Sequence, residues 1–530
     1  MTFNLIDEPW IPVLKLDGTA AQLSLVECFA QADQIRRISA ELPTQSFALL
    51  RVMLAICHDA IGFHTDNEIE DLLEEGVDFS RIRTYLTDLR DRFDLFHAER
   101  PFMQVAGLRT AKDEASGLEK LISDVPNGTP FLTTRTGAAV DRISAAEAAV
   151  WLIHCQAFDP SGIRSGALGD DLTKGGKGYP VGPGWCGQIG GLLLHGRSLA
   201  QTLAYNLVPT PKNPLDRPVW AHTEPHSAVR QVEPHPRGPV ELLVWQSRRV
   251  RLVGDHTGVT GVVLSQGDKM TTQNRQDLEA MTAWRFSKPQ TKKFGIPVYM
   301  PLKHDPERAA WRGAPGLLAP ANELVEGKEA TLPPETVRSL QSHSSVKAHD
   351  LSVTIELVGM DYGPQEATVA ELVSDSLDFR MSLLADDAAH VVTMAHDAIK
   401  VTDGVVWALG RMAGNVAAAS GDFDGVDGAA DRAKLTAWAA LDSPARAWLA
   451  DLHADTDTVE SHREWQRTVR DVLLEQASQV TRRCSPAAVA GRKTKFGFMN
   501  AALAEVFFRK ALREELSLAY QQPPSKESNE

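Results

Sequence analysis

Seven apolar residues, Val391, Met394, Ala398, Val401, Val405, Ala408 and Met412, recur at alternating steps of three and four. That spacing puts them on one stripe of a long helix, and a helix with an apolar stripe must bury it against partners. Further helical runs follow at about Gly428 to His453, Thr458 to Thr481 and Ala487 to Ala519. They are separated only by Gly421 to Asp427, Asp455-Thr456 and Ser485-Pro486. Four long helices with short connections predict an up-and-down four-helix bundle over residues 379–520. Residues 521–530 are polar, carry two prolines, and are expected to form a disordered tail.

Residues 1–378 have a different texture. Apolar helices such as Phe47 to Ile61 alternate with short strands such as Val240 to Trp245 and Val250 to Val253, under heavy glycine and proline punctuation. The expected fold class is therefore α+β, a large mixed α/β N-terminal domain followed by the bundle. Near the N-terminus, Phe3 to Ile6 and Trp10 to Lys15 read as strands, and Asp17-Gly18 as a hairpin turn. Ser24 with Glu27 forms a capping box that opens a helix. Trp10 and Phe102 read as packing residues, because large aromatics dominate buried area. Between Asp159 and Gly191 the glycines are so dense that an extended loop without regular structure is expected.

A length of 530 residues permits a large core and two or more domains. The formal net charge of −14 argues against simple coating of nucleic acid, but local basic patches decide such binding. The five cysteines, Cys28, Cys57, Cys155, Cys186 and Cys484, are scattered with no CxxC pair, so a reducing compartment is expected and neither a disulfide framework nor a cysteine zinc site. Neither a signal peptide nor an apolar run of about 18 residues is present, and a cytoplasmic protein is expected, with no membrane partner and no cofactor or metal.

Two blocks carry a resemblance. Asn4-Leu5-Ile6-Asp7, then Pro9-Trp10-Ile11-Pro12-Val13, and His97-Ala98-Glu99-Arg100-Pro101-Phe102-Met103-Gln104 occur in order, followed by Leu118-Glu119-Lys120-Leu121. In these the chain resembles the CasA family, the large subunit of the type I-E CRISPR surveillance complex Cascade. Past residue 200 the resemblance is one of layout more than letters. It implies a non-catalytic subunit whose C-terminal domain is a four-helix bundle. Some members hold a cysteine-ligated zinc, and this chain lacks those cysteines. The implied role is to recognise the protospacer-adjacent motif (PAM) in the minor groove of duplex DNA, to wedge the strands apart so that the guide RNA begins pairing, and to help recruit a helicase-nuclease. Implied partners are the other Cascade subunits, the CRISPR guide RNA and target double-stranded DNA.

The resemblance assigns roles to particular residues. Ser161, Gly162, Ile163, Arg164 and Gly166 fall in the family's glycine loop, which enters the groove; glycine lets backbone approach a ligand closely, and the groove's degenerate pattern suits loose readout. From the residues alone this is equally a surface loop. Lys269 aligns with the family's lysine finger, although Arg285, Lys288, Lys292 and Lys293 offer a second basic cluster, and an isolated lysine is ordinarily just solvated. Gly363, Pro364, Gln365 and Glu366 occupy the place of the wedge, with Gln365 the favoured strand-opening residue; a simple interdomain hinge is the alternative. Phe131 and Arg135 lie in a segment resembling the docking loop near the 5′ end of the guide, or in an ordinary turn. Val480 to Arg513 contains eight basic residues against one acid, among them Arg482, Arg483, Arg492, Lys493 and Lys495. That suits a phosphate backbone, or is a solvated face.

Two rival functions remain. Four His-Asp pairs, His58-Asp59, His304-Asp305, His349-Asp350 and His396-Asp397, suggest an HD-type metal phosphohydrolase, in which such ligands hold water-activating metals. The other is a protein-only scaffold, which would tolerate charge reversal in the Val480 to Arg513 patch.

Overall fold

The computed structural model describes residues 2–123, 135, 141–313, 331–343, 352–494 and 497–521. It divides into two compact units, Met1–Arg308 with Pro320–Ser376, and Ala309–Ala319 with Leu377–Glu530. The expected docking-loop residue Phe131, the bundle residue Lys495, the pair His349-Asp350 and tail positions 522–530 lie outside the described residues.

In the first unit, β1 (Ile11–Lys15) is flanked by β2 (Ala20–Leu23) and β3 (Ile35–Ile38) in an antiparallel sheet. Ser24 and Glu27 bond reciprocally at the start of α1 (Leu25–Ala30), the capping box read from the sequence. The strand expected at Phe3 to Ile6 reduces to one bridge between Asn4 and Asp94. The Asn4 side chain accepts from Ile6 N–H at 3.0 Å and donates to Arg90 O at 2.9 Å, so it competes with strand pairing. Trp10 and Phe102 are both buried in the core.

The core is built on α2 (Pro43–Ile61), buried along most of its length, and α3 (Ala145–Phe158). Arg51 of α2 is buried with them and forms a two-bond fork with Glu279, each bond 2.9 Å, while Trp185 Nε1 donates to the same carboxylate at 2.6 Å. Satisfied in this way, the charge is tolerated in the interior.

The glycine-rich stretch after α3 departs from expectation. β4 (Arg164–Ser165) pairs with β5 (Lys177–Gly178), and Trp185–Gln188 forms a short 3-10 turn. β6 (Gly191–His195) follows. Val240 to Trp245, expected as a strand, begins inside a helix, α4 (Pro239–Leu243). Pro239 presets the first helical φ, and the Asp216 carboxylate accepts from the Val240 and Glu241 N–H groups at 3.2 and 2.9 Å. β7 (Arg248–Asp255), which contains the expected strand Val250 to Val253, and β8 (Gly258–Gln266) form a long hairpin. β9 (Trp284–Phe286), β10 (Tyr299–Pro301) and β11 (Thr331–Leu332) make a small sheet, with α5 (Lys288–Phe294) between the first two strands. Finally, β12 (Ser352–Tyr362) pairs with β6 and with β13 (Val369–Arg380).

The second unit is the helical bundle. α6 (Ala389–Ser420) is its axis and packs against α7 (Val426–Asp451), α8 (Thr458–Arg482), α9 (Pro486–Ala490) and the C-terminal helix. Of the seven stripe residues, Met394 and Val401 are only half-buried, because partners on several sides widen the buried face to include Val392, Ile399, Val406 and Leu409. The fourth expected helix is broken. After α9 comes a hairpin of β14 (Arg492–Thr494) and β15 (Gly497–Met499), and only then α10 (Ala501–Glu515). Gly491 takes φ +76°, which ends the first helix. Trp311, from the segment that groups with the helices, is fully buried and lies 5.7 Å from the Trp438 ring and 6.2 Å from Trp465. No single helix among the described residues is long and apolar enough to cross a membrane.

Candidate nucleic-acid interface

The glycine loop leaves α3 at Asp159, and the base of the loop is fixed by a buried charge. Asp159 accepts from Arg164 at 2.7 Å and from Arg248 Nε, while Arg248 is itself fully buried. Arg248 Nη2 also donates to Pro160 O at 3.0 Å and Gly182 O at 2.9 Å, so one side chain on β7 joins both ends of the loop. Gln266, the last residue of β8, donates to Gly162 O at 2.6 Å.

The wedge turn meets the loop directly. Ser161 N–H donates to Glu366 O at 2.8 Å, and Tyr362 Oη donates to Phe158 O at 2.8 Å. The turn itself is closed by Gly363 N–H to Thr368 O at 2.9 Å, and its tip residues Gln365 and Glu366 both take positive φ, +59° and +56°. Such αL geometry is unusual for these residue types and concentrates at functional sites. The Glu366 carboxylate lies 3.5 Å from Lys303 Nζ, whereas the exposed Gln365 amide makes no hydrogen bond to any described residue. Between the two alternatives for the wedge, the unengaged side chain is Gln365.

Lys269 follows β8 by three residues. Its neighbours are clamped: Asp268 accepts from Arg249 Nη2 and from Gln231 N–H, both at 2.7 Å, and Met270 is buried. Lys269 itself is exposed and makes no ion pair with any described residue. A fixed base with a free ammonium is suited to reach outward. The second basic cluster, Arg285 with Lys288, Lys292 and Lys293, is also exposed and occupies β9 and α5.

Loop residues differ in what they can do. Ile163 is 57% exposed and Ser161 is buried. Gly162 has φ +154° and open space around it, so its backbone is accessible to a ligand. At Gly166 a Cβ would lie 2.1 Å from Thr173 Cγ2, so its glycine is required by packing within the loop. Arg164 is engaged by Asp159 and is not free to contact phosphate in this arrangement. Asp159, Arg248 and Gln266 were not singled out from the sequence. The signal was there in Arg248-Arg249, two charges inside an apolar strand that each need a buried carboxylate.

The sequence profile described as CRISPR-associated protein Cse1 matches residues 4–476. The chain belongs to the Cse1 family. CasA/Cse1 of Thermus thermophilus is 30% identical over 368 residues, which are 67% of each chain. The crystal structure of Thermobifida fusca Cse1 superposes with a TM-score of 0.88 at 39% identity, over 98% of this chain and 99% of that one. A chain from a structure titled CRISPR RNA-guided surveillance complex matches with a TM-score of 0.68 at 17% identity, over 90% and 99% of the two chains, which establishes a shared fold alone.

Other expected residues of this Cse1-family chain have settled partners. Arg135 is half-buried and pairs with Glu41 at 2.5 Å and with Glu147. Arg492 caps the end of α6, donating to Ala419 O at 3.0 Å and Ser420 O at 2.8 Å. Arg482 lies 4.0 Å from Glu475, and Arg509 and Lys510 pair with Glu505 and Glu514, so the patch is less positive than its sequence run. Arg483 and Lys493 remain exposed and unpaired among the described residues. Of the His-Asp pairs, His58 is buried and Asp59 pairs with Arg217 at 2.7 Å, His304 Nε2 bonds to Gly191 O at 2.7 Å, and His396 and Asp397 are exposed on α6. Among the described residues no group of three or more His, Cys, Asp or Glu is placed to hold a metal ion.

Proposed function

We propose that this chain is the PAM-reading large subunit of an RNA-guided DNA surveillance complex, a non-catalytic protein that works together with the other Cascade subunits and the CRISPR guide RNA. The Gly162 backbone and Lys269 enter the minor groove of the PAM, where a degenerate pattern of base acceptors meets a lysine donor. Gln365 then inserts at the adjoining base pair and competes for its hydrogen bonds. Opening one such step costs about a few kcal/mol, offset by guide pairing as the heteroduplex grows. Arg483 and Lys493 on the bundle hold DNA backbone by salt-sensitive attraction. Phe131 docks the subunit near the guide, and the opened target is passed to a helicase-nuclease.

The single observation that carries this reading is the bond from Ser161 to Glu366. It fixes the probing loop to the turn bearing Gln365, so groove entry and strand separation share one rigid support. The test uses the reconstituted complex and a duplex carrying 2-aminopurine at the first base pair beside the PAM. Fluorescence should rise with wild type only when the PAM is present. Gln365→Ala should retain PAM-dependent binding yet open the duplex at least about tenfold more slowly. Opening at the wild-type rate would exclude Gln365 as the wedge.

A further inference from the structure

A cavity of about 450 Å³ lies beside the loop that runs from His222 to Arg237, with Trp245, Gln246, Arg249 and Asp268 in its wall. Nothing in the proposed PAM-reading role uses it. Two of its side chains are almost completely buried, Arg249 at 2% exposure and Gln246 at 6%. Both are pinned. Arg249 Nη2 donates to Asp268 Oδ2 at 2.7 Å, and Gln246 Nε2 donates to Val244 O at 2.7 Å. Each is left with one buried atom that has no partner, the Nε–H donor of Arg249 and the Oε1 acceptor of Gln246, and the buried His226 Nε2 is a third. Buried polar atoms are ordinarily satisfied, and three unsatisfied ones on one cavity mark a place for a ligand that supplies the complement.

The chemistry of that ligand can be narrowed. The cavity wall holds Arg237 and Arg249 against Glu224, Glu241 and Asp268, so its charge does not favour an anion. The ligand must instead offer an acceptor to Arg249 and a donor to Gln246 on one edge. Its faces meet Val219, Val244 and the Trp245 ring, which is held by its own N–H to Asp268 O at 3.2 Å. An uncharged planar heterocycle with neighbouring donor and acceptor is a nucleobase. We propose that this cavity is a nucleobase-binding site, filled either by a free nucleoside or by a base turned out of a nucleic-acid strand. Asp268 is both part of its wall and the anchor of the segment bearing Lys269.

Adenosine, guanosine, cytidine and thymidine are titrated into the purified full chain, and duplexes with single 2-aminopurine substitutions are added in parallel. Two variants accompany wild type: Gln246→Leu, which removes the acceptor, and Ser227→Trp, which blocks the mouth from an exposed position and should leave folding intact. At least one nucleoside should bind with a dissociation constant of about 1 mM or tighter, weakened at least about tenfold by Gln246→Leu and abolished by Ser227→Trp. If only strand-borne bases enter, the nucleosides stay silent and a 2-aminopurine signal appears that Ser227→Trp removes. No signal from either probe would mean that the cavity holds water only, and binding indifferent to both substitutions would place the site elsewhere. Either result overturns the proposal.

Discussion

Arg248 is fully buried, and Asp159 compensates its charge while also holding Arg164. Removing one partner of a buried pair leaves the other charge uncompensated, so Asp159→Asn should lower unfolding free energy by about 3–5 kcal/mol in denaturant titration. A change below about 1 kcal/mol would mean that the pair is effectively solvated. Two histidines make a pH prediction at the same scale. Burial, with a smaller contribution from His64, pushes His58 down to about 4, and burial pushes His154 down to about 3. His154 is held neutral between Thr44 Oγ1 at 2.9 Å and Ser123 Oγ at 3.1 Å. Both values lie below the ordinary histidine value of about 6.5. The unfolded chain therefore binds protons that the folded chain refuses, and stability present above about pH 6.5 is lost as pH falls towards 4 and then 3. At pH 5 each histidine should account for a loss of about 2 kcal/mol relative to pH 7. His154→Asn should show a shallower pH dependence than wild type, and an unchanged slope would remove His154 from the account. At this scale the sequence was uneven: Trp10 and Phe102 were legible as core because aromatics are seldom left unpacked, but the Asp159–Arg248 pairing spans 89 residues and has no local signature.

Among the elements, the stripe on α6 and the helices α7 and α8 were readable from periodicity, since each carries its own apolar face. The interrupted fourth helix was not. Its run of helix formers concealed Gly491 at φ +76° and Gly497 at φ +106°, which bound a hairpin. That hairpin places Arg492 on the C-terminal carbonyls of α6. A cation there satisfies unpaired carbonyls and opposes the helix dipole, so Arg492→Ala should cost about 1 kcal/mol in thermal unfolding. No destabilisation would mean that water replaces the guanidinium without loss. The helix at Pro239–Leu243 was misread as a strand because Val-Glu-Leu-Leu-Val-Trp fits either period over so short a length, and the deciding cap, Asp216, lies far away in sequence. At the tip between β12 and β13 the strain of Gln365 allows a separate test. Gln365→Gly removes the αL penalty and the amide together. It should leave folding equal or up to about 1 kcal/mol more stable while strand opening fails, whereas a loss of stability would show that the side chain has a structural role.

For the molecule as a whole, the N-terminal blocks placed the chain in its family, and the profile match over residues 4–476 extends that kinship across both units. The candidate site was only partly legible. Glycine density marked the loop and charge marked Lys269, but their convergence depends on Arg248 and Gln266 reaching across from β7 and β8 and on one backbone bond to the wedge turn. Long-range contacts of that kind leave no periodic trace in a sequence. Most of the basic run in the last helices, by contrast, turned out to be paired with acids or committed to capping, because side-chain geometry decides which charges remain available.

The central claim is that the glycine loop, Lys269 and Gln365 act as one PAM-reading and strand-opening device. Its most direct test is equilibrium binding of target duplexes, with and without a PAM, by the reconstituted complex containing wild type, Lys269→Ala or Gln365→Ala. The account predicts that Lys269→Ala loses most of the PAM-dependent affinity with assembly intact, and that Gln365→Ala keeps PAM discrimination but fails to convert the bound duplex to an open one. If both variants bind and open PAM-bearing duplex as wild type does, the claim is contradicted, and the cluster of Arg285, Lys288, Lys292 and Lys293 becomes the candidate reader.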